Sequence, residues 1–261
     1  TSVTTNSDNT TCSGSLQLSS DNFSSCIQMS SSPLSSNSDK TFTVKPSISL
    51  SYSKTFKIRV TTSVKDSSGN TMSYQYESSN GFTTASLFLS VGDTGTILTS
   101  IDGITWNKYY SGYSDNLAGA VYGNNSFVIV GNGGVIFTST NGSTWSIKNG
   151  FSGSVTNNTL NGVTFGNNTF VAGGQLGTIL TSSDNGSSWN LRSSGQTDNI
   201  YGLGYGSNTF VASTVSGKIL TSPDGTTWTS RTTGIEGGRL NSITYGNNTF
   251  VSVGGGGGII Y

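Results

Sequence analysis

The chain has 261 residues, with Lys+Arg 12 against Asp+Glu 12, no His, and 9% charged side chains where about a quarter is usual. That balance carries no basic footprint for nucleic acid or an anionic membrane surface, and the absence of His removes the commonest general base and metal ligand. No run of about 18 apolar residues offers a membrane span, and any catalysis would have to run on carboxylates, tyrosines or hydroxyls.

Thr1 is neither an initiating Met nor the start of a signal peptide, so it reads as the start of a fragment or of a processed chain. Alternation of apolar and polar residues then marks strands at Ser15–Leu18, Cys26–Met29, Thr41–Val44 and Thr55–Val60. Turn-rich segments such as Ser31-Ser32-Pro33 and Lys65-Asp66-Ser67-Ser68-Gly69-Asn70 separate them. Several short strands at this spacing predict a small β-sandwich over residues 1–84. Cys12 and Cys26 suit a disulfide in a Ser/Thr-rich chain that looks exported, the alternative being two buried thiols. With no His and no further Cys, a metal site there lacks ligands.

Within this stretch, Phe42-Thr43-Val44-Lys45-Pro46, the run from Leu50 to Val60, Val64 to Asn70 and Gly81-Phe82-Thr83-Thr84 resemble the bacterial Ig-like domains of surface and S-layer proteins. The resemblance covers residues 12–84 and lacks the family's opening strand. It implies a spacer on an extracellular or cell-surface protein of bacterial origin. Asp66 and Asn70 are the candidate calcium ligands, and a hairpin turn capped by its own side chains is the favoured reading of the same residues. No other cofactor is expected.

From about residue 85 the chain writes one stretch four times: ILTSIDGITW ending at Trp106, IFTSTNGSTW at Trp145, ILTSSDNGSSW at Trp189 and ILTSPDGTTW at Trp228. The tryptophans are 39, 44 and 39 residues apart, the size of one four-stranded unit. Such a period overrules the low-complexity reading that 36 Gly and 32% hydrophobic residues would otherwise invite. Ala118–Tyr122 and Ser126–Val130 flank the Gly123-Asn124-Asn125 turn, Val135–Ser139 follows Gly131 to Gly134, and Thr144–Lys148 follows Asn141-Gly142. Three hairpins in succession make an up-and-down four-stranded sheet, and a ring of such sheets is a β-propeller. The predicted fold class is all-β: an Ig-like β-sandwich over 1–84 and a β-propeller over 85–261, with at least five blades partly encoded.

The repeated hairpin resembles the Asp-box, or BNR repeat. Ser182-Ser183-Asp184-Asn185-Gly186-Ser187-Ser188-Trp189 fits the pattern fully. The copies at Asp102, Asn141 and Asp224, ending in Trp106, Trp145 and Trp228, are one residue shorter in the turn. The resemblance places the box between the third and fourth strands of a blade and makes it scaffold. The Asx side chain accepts backbone N–H groups, Gly supplies positive φ, and Trp fills a gap between neighbouring sheets. With that phase, first strands are expected at Gly119–Tyr122, Gly162–Phe165, Gly202–Tyr205 and Ser242–Tyr245. The earliest blade has no first strand and the last reaches Tyr261 within its third. The ring is therefore expected to continue past that residue, and open blade edges offer a route to self-association.

The same phase puts the Gly-Asn-Asn turns and the boxes on one face, and the second-to-third turns and inter-blade connections on the other. The second set varies: Tyr109, Tyr110, Tyr113, Asp115 and Asn116; residues 151–159; Gln196, Asp198 and Asn199; Glu236 and Arg239. Tyr beside Asn, Asp and Gln suits an extracellular glycan or protein, and these are the candidate ligand-binding residues. Asp-boxes also occur in sialidases, which clamp a substrate carboxylate with three arginines. Arg192 and Arg231 each lie three residues after a box Trp, at repeat-equivalent outer positions, so no such triad assembles with Arg239. Nor does any spacing mark a carboxylate pair for other glycoside hydrolysis. The expected function is a non-catalytic, adhesin-like or glycan- or protein-binding propeller of a bacterial surface or secreted protein. The alternatives are a structural surface-assembly protein and a sialidase-like glycosidase.

Overall fold

The computed structural model describes residues 3–149, 154–235 and 237–255, with the backbone of 259–260. The chain divides into two units, Thr1–Leu87 and Phe88–Tyr261.

The first unit holds β1 (Leu16–Ser19), β2 (Leu34–Ser36), β3 (Thr41–Thr43), β4 (Thr55–Val60), β5 (Tyr76–Glu77) and β6 (Phe82–Thr83). Its centre is β4, which pairs antiparallel with β1, β5 and β6, while β2 and β3 form a separate hairpin. Period-two alternation turns Phe56 of β4 inward onto Leu18 and Met29, and Ile27, Val44 and Leu50 close over them. Cys12 and Cys26 are joined by a disulfide with Cα atoms 5.0 Å apart. The expected strand at Cys26–Met29 does not form. Its N–H groups find scattered partners, Ile27 donating to the Leu18 carbonyl and Gln28 to the Asn9 side chain, and Met29 makes an isolated bridge to Pro46. At the tip of the Lys65–Thr71 hairpin, Asp66 Oδ1 accepts the Ser68 and Asn70 N–H groups and Oδ2 accepts Asn70 Nδ2. Both carboxylate oxygens are therefore engaged by the turn itself.

Among the described residues the second unit is a row of five antiparallel sheets, the blades of a β-propeller. The first is β7 (Phe88–Val91), β8 (Thr96–Ser100) and β9 (Asn107–Tyr110). The second is β10 (Leu117–Gly123), β11 (Ser126–Gly131), β12 (Ile136–Ser139) and β13 (Ser146–Asn149). The third is β14 (Leu160–Gly166), β15 (Thr169–Gly174), β16 (Ile179–Ser182) and β17 (Asn190–Arg192). The fourth is β18 (Ile200–Gly206), β19 (Thr209–Thr214), β20 (Ile219–Ser222) and β21 (Thr229–Arg231). The fifth is β22 (Leu240–Gly246), β23 (Thr249–Gly254) and β24 (Ile259–Ile260).

Local chemistry sets this pattern. Each first-to-second-strand hairpin closes on two residues in the left-handed region, Asn124 and Asn125 at φ 43° and 64°, and likewise Asn167-Asn168, Ser207-Asn208 and Asn247-Asn248. Asn tolerates that conformation, and a two-residue turn of this kind matches strand twist and fixes register. Tyr122 accordingly faces Phe127, with Phe165–Phe170, Tyr205–Phe210 and Tyr245–Phe250 as its copies. First strands of successive blades lie side by side at the inner edge of the row. There the backbones approach closely: a Cβ added to Gly119 would stand 3.2 Å from Gly162 Cα, and one added to Gly162 would stand 2.9 Å from the Tyr201 carbonyl oxygen.

Apolar burial is between blades as much as within them. Val128, Val130 and Ile136 of the second blade and Leu160, Phe170 and Leu180 of the third form one buried cluster that includes Trp189. Burying such an indole contributes about 4–6 kcal/mol before entropy is subtracted, at about 25 cal/mol per Å² over roughly 150–250 Å². Trp106, in the first blade, is 41% exposed against 6% for Trp189.

Candidate binding face of the propeller

The turns between third and fourth strands are built alike. In each, an Asx Oδ1 accepts backbone N–H groups: Ile104 and Thr105 on Asp102, Ser143 and Thr144 on Asn141, Ser188 on Asp184, and Thr226 and Thr227 on Asp224. A serine two residues earlier donates to the Asx oxygen and accepts the glycine N–H, as Ser182 does from Gly186. Trp106, Trp189 and Trp228 donate Nε1–H to the carbonyl of the turn glycine, whereas the buried Trp145 Nε1 finds no partner. These bonds depress the carboxylates. The Thr105 and Ile104 N–H groups hold Asp102 at about 2, the Ser188 hydroxyl and N–H hold Asp184 at about 2, and the Thr227 N–H leads in holding Asp224 well below the usual range. Asn124 of the second blade hydrogen-bonds Asn185 of the third, so the Asn turns and the tryptophan-ended turns share one face. A polar hollow of about 530 Å³ lies there between Asn141, Lys148 and Asn185.

The opposite face is latched in a repeated way. The residue before each first strand offers its carbonyl to the second-to-third turn of its own blade: Asn116 to Asn132, Thr159 to Gln175, Asn199 to Val215 and Arg239 to Gly255. Several candidate ligand residues are drawn into this work. Asn116 Oδ1 also accepts the Thr94 N–H and Asn199 Oδ1 the Leu176 N–H. The Asp115 carbonyl accepts the Gly95 N–H, while its side chain stays exposed. Tyr113 is a core residue: it is 9% exposed, donates its hydroxyl to the Asn132 carbonyl at 2.7 Å and meets Phe137 edge-on. Burial, and then the Asp115 charge, push its phenol up. Tyr109 is half-buried and Tyr110 is 81% exposed.

Gln196 and Asp198 are brought together by Lys218 of the fourth blade, while the Asn199 side chain turns to Leu176. Lys218 Nζ bridges Gln196 Oε1 at 2.9 Å and Asp198 Oδ2 at 3.1 Å, and Ser216 donates to Asp198 Oδ2 at 2.6 Å. The Ser216 hydroxyl, and then Lys218, keep that carboxyl below its usual range. Arg239 stands apart on the fifth blade, its guanidinium 4.3 Å from the Tyr201 ring centroid. Glu236 and residues 151–153 lie outside the described residues.

Beside Gln196 a cavity of about 540 Å³ opens, walled by Leu176, Leu191, Arg192, Asn158 and Thr178. Leu176 and Leu191 are 67% and 58% exposed. Leu176 sits in the second-to-third turn of its blade at φ 54°, a left-handed conformation that Gly133 supplies at the matching place in the second blade. For a leucine that conformation costs about 1–2 kcal/mol. Arg192 Nε–H holds Thr181 Oγ1 and Arg231 Nε–H holds Thr221 Oγ1, each within its own blade. Leu176, Leu191 and Arg192 were not among the expected ligand residues. A departure from the repeat, Leu where another blade has Gly, was the signal that could have found Leu176; Arg192 was assigned to the outer scaffold because its copy Arg231 is its equivalent.

Residues 2–84 match the family model described as a bacterial Ig-like domain. No curated protein matches the chain in sequence. Among solved structures, the chain is similar to YCF48 bound to D1 peptide, at 21% identity and a TM-score of 0.51, over 66% of this chain and 57% of that one. It is similar to virginiamycin B lyase from Staphylococcus aureus at 12% identity and a TM-score of 0.55, over 85% and 76% of the two chains. It is also similar to the WD40 repeats of RRP9 at 9% identity and a TM-score of 0.53, over 77% and 70%. The chain thus spans little more than half of the YCF48 structure, and at these identities the likeness is one of fold.

Proposed function

We propose that this chain belongs to a bacterial surface or secreted protein in which the Ig-like unit serves as a spacer and the propeller binds an extracellular glycan or protein without catalysing a reaction. The tryptophan-ended turns resemble Asp-boxes and act as scaffold; recognition uses the opposite face, centred on the cavity beside Leu176. One observation carries the choice of face: an exposed leucine held in a left-handed conformation gives the free protein no burial in return for its strain, and such strain gathers where a partner is met. Leu191 extends the apolar floor, Arg192 and Gln196 supply polar partners, and Asn158 and Thr178 give a hydrogen-bonding rim. An apolar floor with a few placed polar groups suits a sugar face or a protein side chain. YCF48, of the same fold, is described as bound to a peptide, which supports the polypeptide arm of this reading.

The test is capture of the 261-residue protein on an array of glycans and extracellular matrix proteins. A specific hit that is lost in Leu176→Gly with Arg192→Ser, and kept in a variant altered at Asn141 and Lys148 on the other face, supports the reading. A hit unaffected by the first pair moves the site elsewhere; turnover of chromogenic glycosides would replace the reading with a glycosidase.

A further inference from the structure

The second, third and fourth blades carry the same threonine on their third strand, and the second blade treats it differently. In β16 and β20 the hydroxyls of Thr181 and Thr221 each accept the Nε–H of an arginine, Arg192 or Arg231, that stands opposite Ile179 or Ile219. In the second blade β13 holds one extra residue: Asn149 stands opposite Ile136, Ile147 opposite Phe137, and Lys148 is bulged between them. Asn149 is 5% exposed, donates its amide to the Gly134 and Thr156 carbonyls and accepts the Val155 N–H at 2.7 Å. Thr138, at the place of Thr181, therefore receives no guanidinium.

The polar hollow of about 530 Å³ lies at this place. It is walled by Thr138, Ser126, Asn141 and Lys148 of the second blade and by Asn185 and Ser187 of the third-blade turn. That turn leans on the threonine, since a Cβ on Gly186 would stand 2.8 Å from Thr138 Cγ2. Thr138 is 9% exposed and Ser126 5%, and neither hydroxyl has a hydrogen-bond partner among the described residues. Charge differs as well. The third and fourth blades each carry a turn carboxylate, Asp184 or Asp224, and a strand guanidinium, whereas the second carries the amide of Asn141 and the ammonium of Lys148. No Asp or Glu lines the hollow, and Lys148 makes no ion pair among the described residues. The hollow is thus electropositive and rich in hydroxyl and amide groups.

We propose that this hollow binds a sugar residue bearing a carboxylate or sulfate group, with the anionic oxygens on Lys148 Nζ and the ring hydroxyls on Thr138 and Ser126. A hydroxyl both donates and accepts, which matches the mixed rim of a sugar ring, and one ammonium matches its one charged group. Buried hydroxyls left without partners in the free protein gain them from such a ligand. The site is on the face of the tryptophan-ended turns, opposite the Leu176 cavity, and does not rest on the reading of that cavity.

Nitrogen–proton correlation spectra of the 261-residue protein, titrated with glucuronic acid, glucose sulfate, glucose and sodium sulfate, test it. The two acidic sugars should shift the Asn141 and Asn185 side-chain amide signals to saturation, with glucose about tenfold weaker or more for want of the charge-assisted bond. Lys148→Met should bring the acidic sugars down to the affinity of glucose, and Thr138→Val should weaken acidic and neutral sugars alike. Asn141→Asp restores the carboxylate around which the turns at Asp184 and Asp224 fold, so it should keep the thermal midpoint and lose the acidic sugars. Leu176→Gly should change none of this, so a failure of capture in that variant alone bears on the other face. Glucose binding as tightly as the acids, or no shift at these amides at any concentration, overturns the proposal. Sodium sulfate saturating the same signals at the same concentration as the acidic sugars would make this a site for an adventitious ion only. Acidic-sugar binding kept in Lys148→Met but lost in Leu176→Gly with Arg192→Ser would also overturn it, and would place that ligand in the Leu176 cavity.

Discussion

The ring of Phe165 lies on Gly123 of the preceding blade so closely that a Cβ there would stand 2.1 Å from the ring. Glycine is needed at this place because an aromatic from another sheet occupies the volume, and the same pairing joins Tyr205 to Gly166 and Tyr245 to Gly206. This relationship spaces successive blades, since the ring is fixed by its own hairpin register with Phe170.

Adding one methyl group tests the spacing. Gly123→Ala and Gly166→Ala are expected to cost about 1–3 kcal/mol through overpacking, seen as lower thermal midpoints, while Gly246→Ala, with open space around it, changes stability far less. Equal effects at all three would mean that the rings yield freely.

Burial by a neighbouring blade also separates the tryptophans. Trp189→Ala removes an indole packed in the cluster shared by the second and third blades and should cost about 3–5 kcal/mol in urea denaturation. Trp106→Ala, at 41% exposure, should cost much less. The contrast checks that these residues stabilise contacts between blades rather than their own turns alone.

Acid should weaken the turns in a definite window. Asp184 is held at about 2 against an ordinary 3.8, so its contribution is full above the ordinary value and is lost as pH falls from there through about 2. Denaturation midpoints measured across that window should fall, and Asp184→Asn should flatten the slope. That variant should still fold, because Asn141 already makes the equivalent N–H bonds with an amide.

Strain at Leu176 gives opposite signs for stability and binding. Leu176→Gly relieves about 1–2 kcal/mol of left-handed strain, less the entropy glycine loses on folding, so the thermal midpoint should hold or rise while ligand capture falls. A lowered midpoint with binding intact would mark Leu176 as structural.

Reduction of the disulfide should act on one unit. Closing a short loop of this kind contributes about 3 kcal/mol, so dithiothreitol should lower the unfolding transition of the first unit and leave that of the propeller in place, as read by calorimetry.

The blade plan was legible because it is written in short-range chemistry. Asn124-Asn125 and its copies close two-residue hairpins, and Ser, Asx, Gly and Trp recur at the spacing of one turn, so the strand phase could be read before any contact was known. The same local reading misjudged Cys26–Met29, where alternating residues found side-chain and loop partners instead of a ladder.

Amino-acid order alone therefore determined which residues make hairpins and where each blade begins, since a hairpin needs only its own turn and its own alternation. Only the tertiary structure decided what each repeated position meets. Tyr113 goes into the core, Leu176 comes out to solvent, and Phe88 stays half open while Phe127, Phe170 and Phe210 are closed. The physical reason is that burial in a row of blades depends on the neighbour a residue is given, and residues alike in sequence differ in exposure wherever that neighbour differs or is missing.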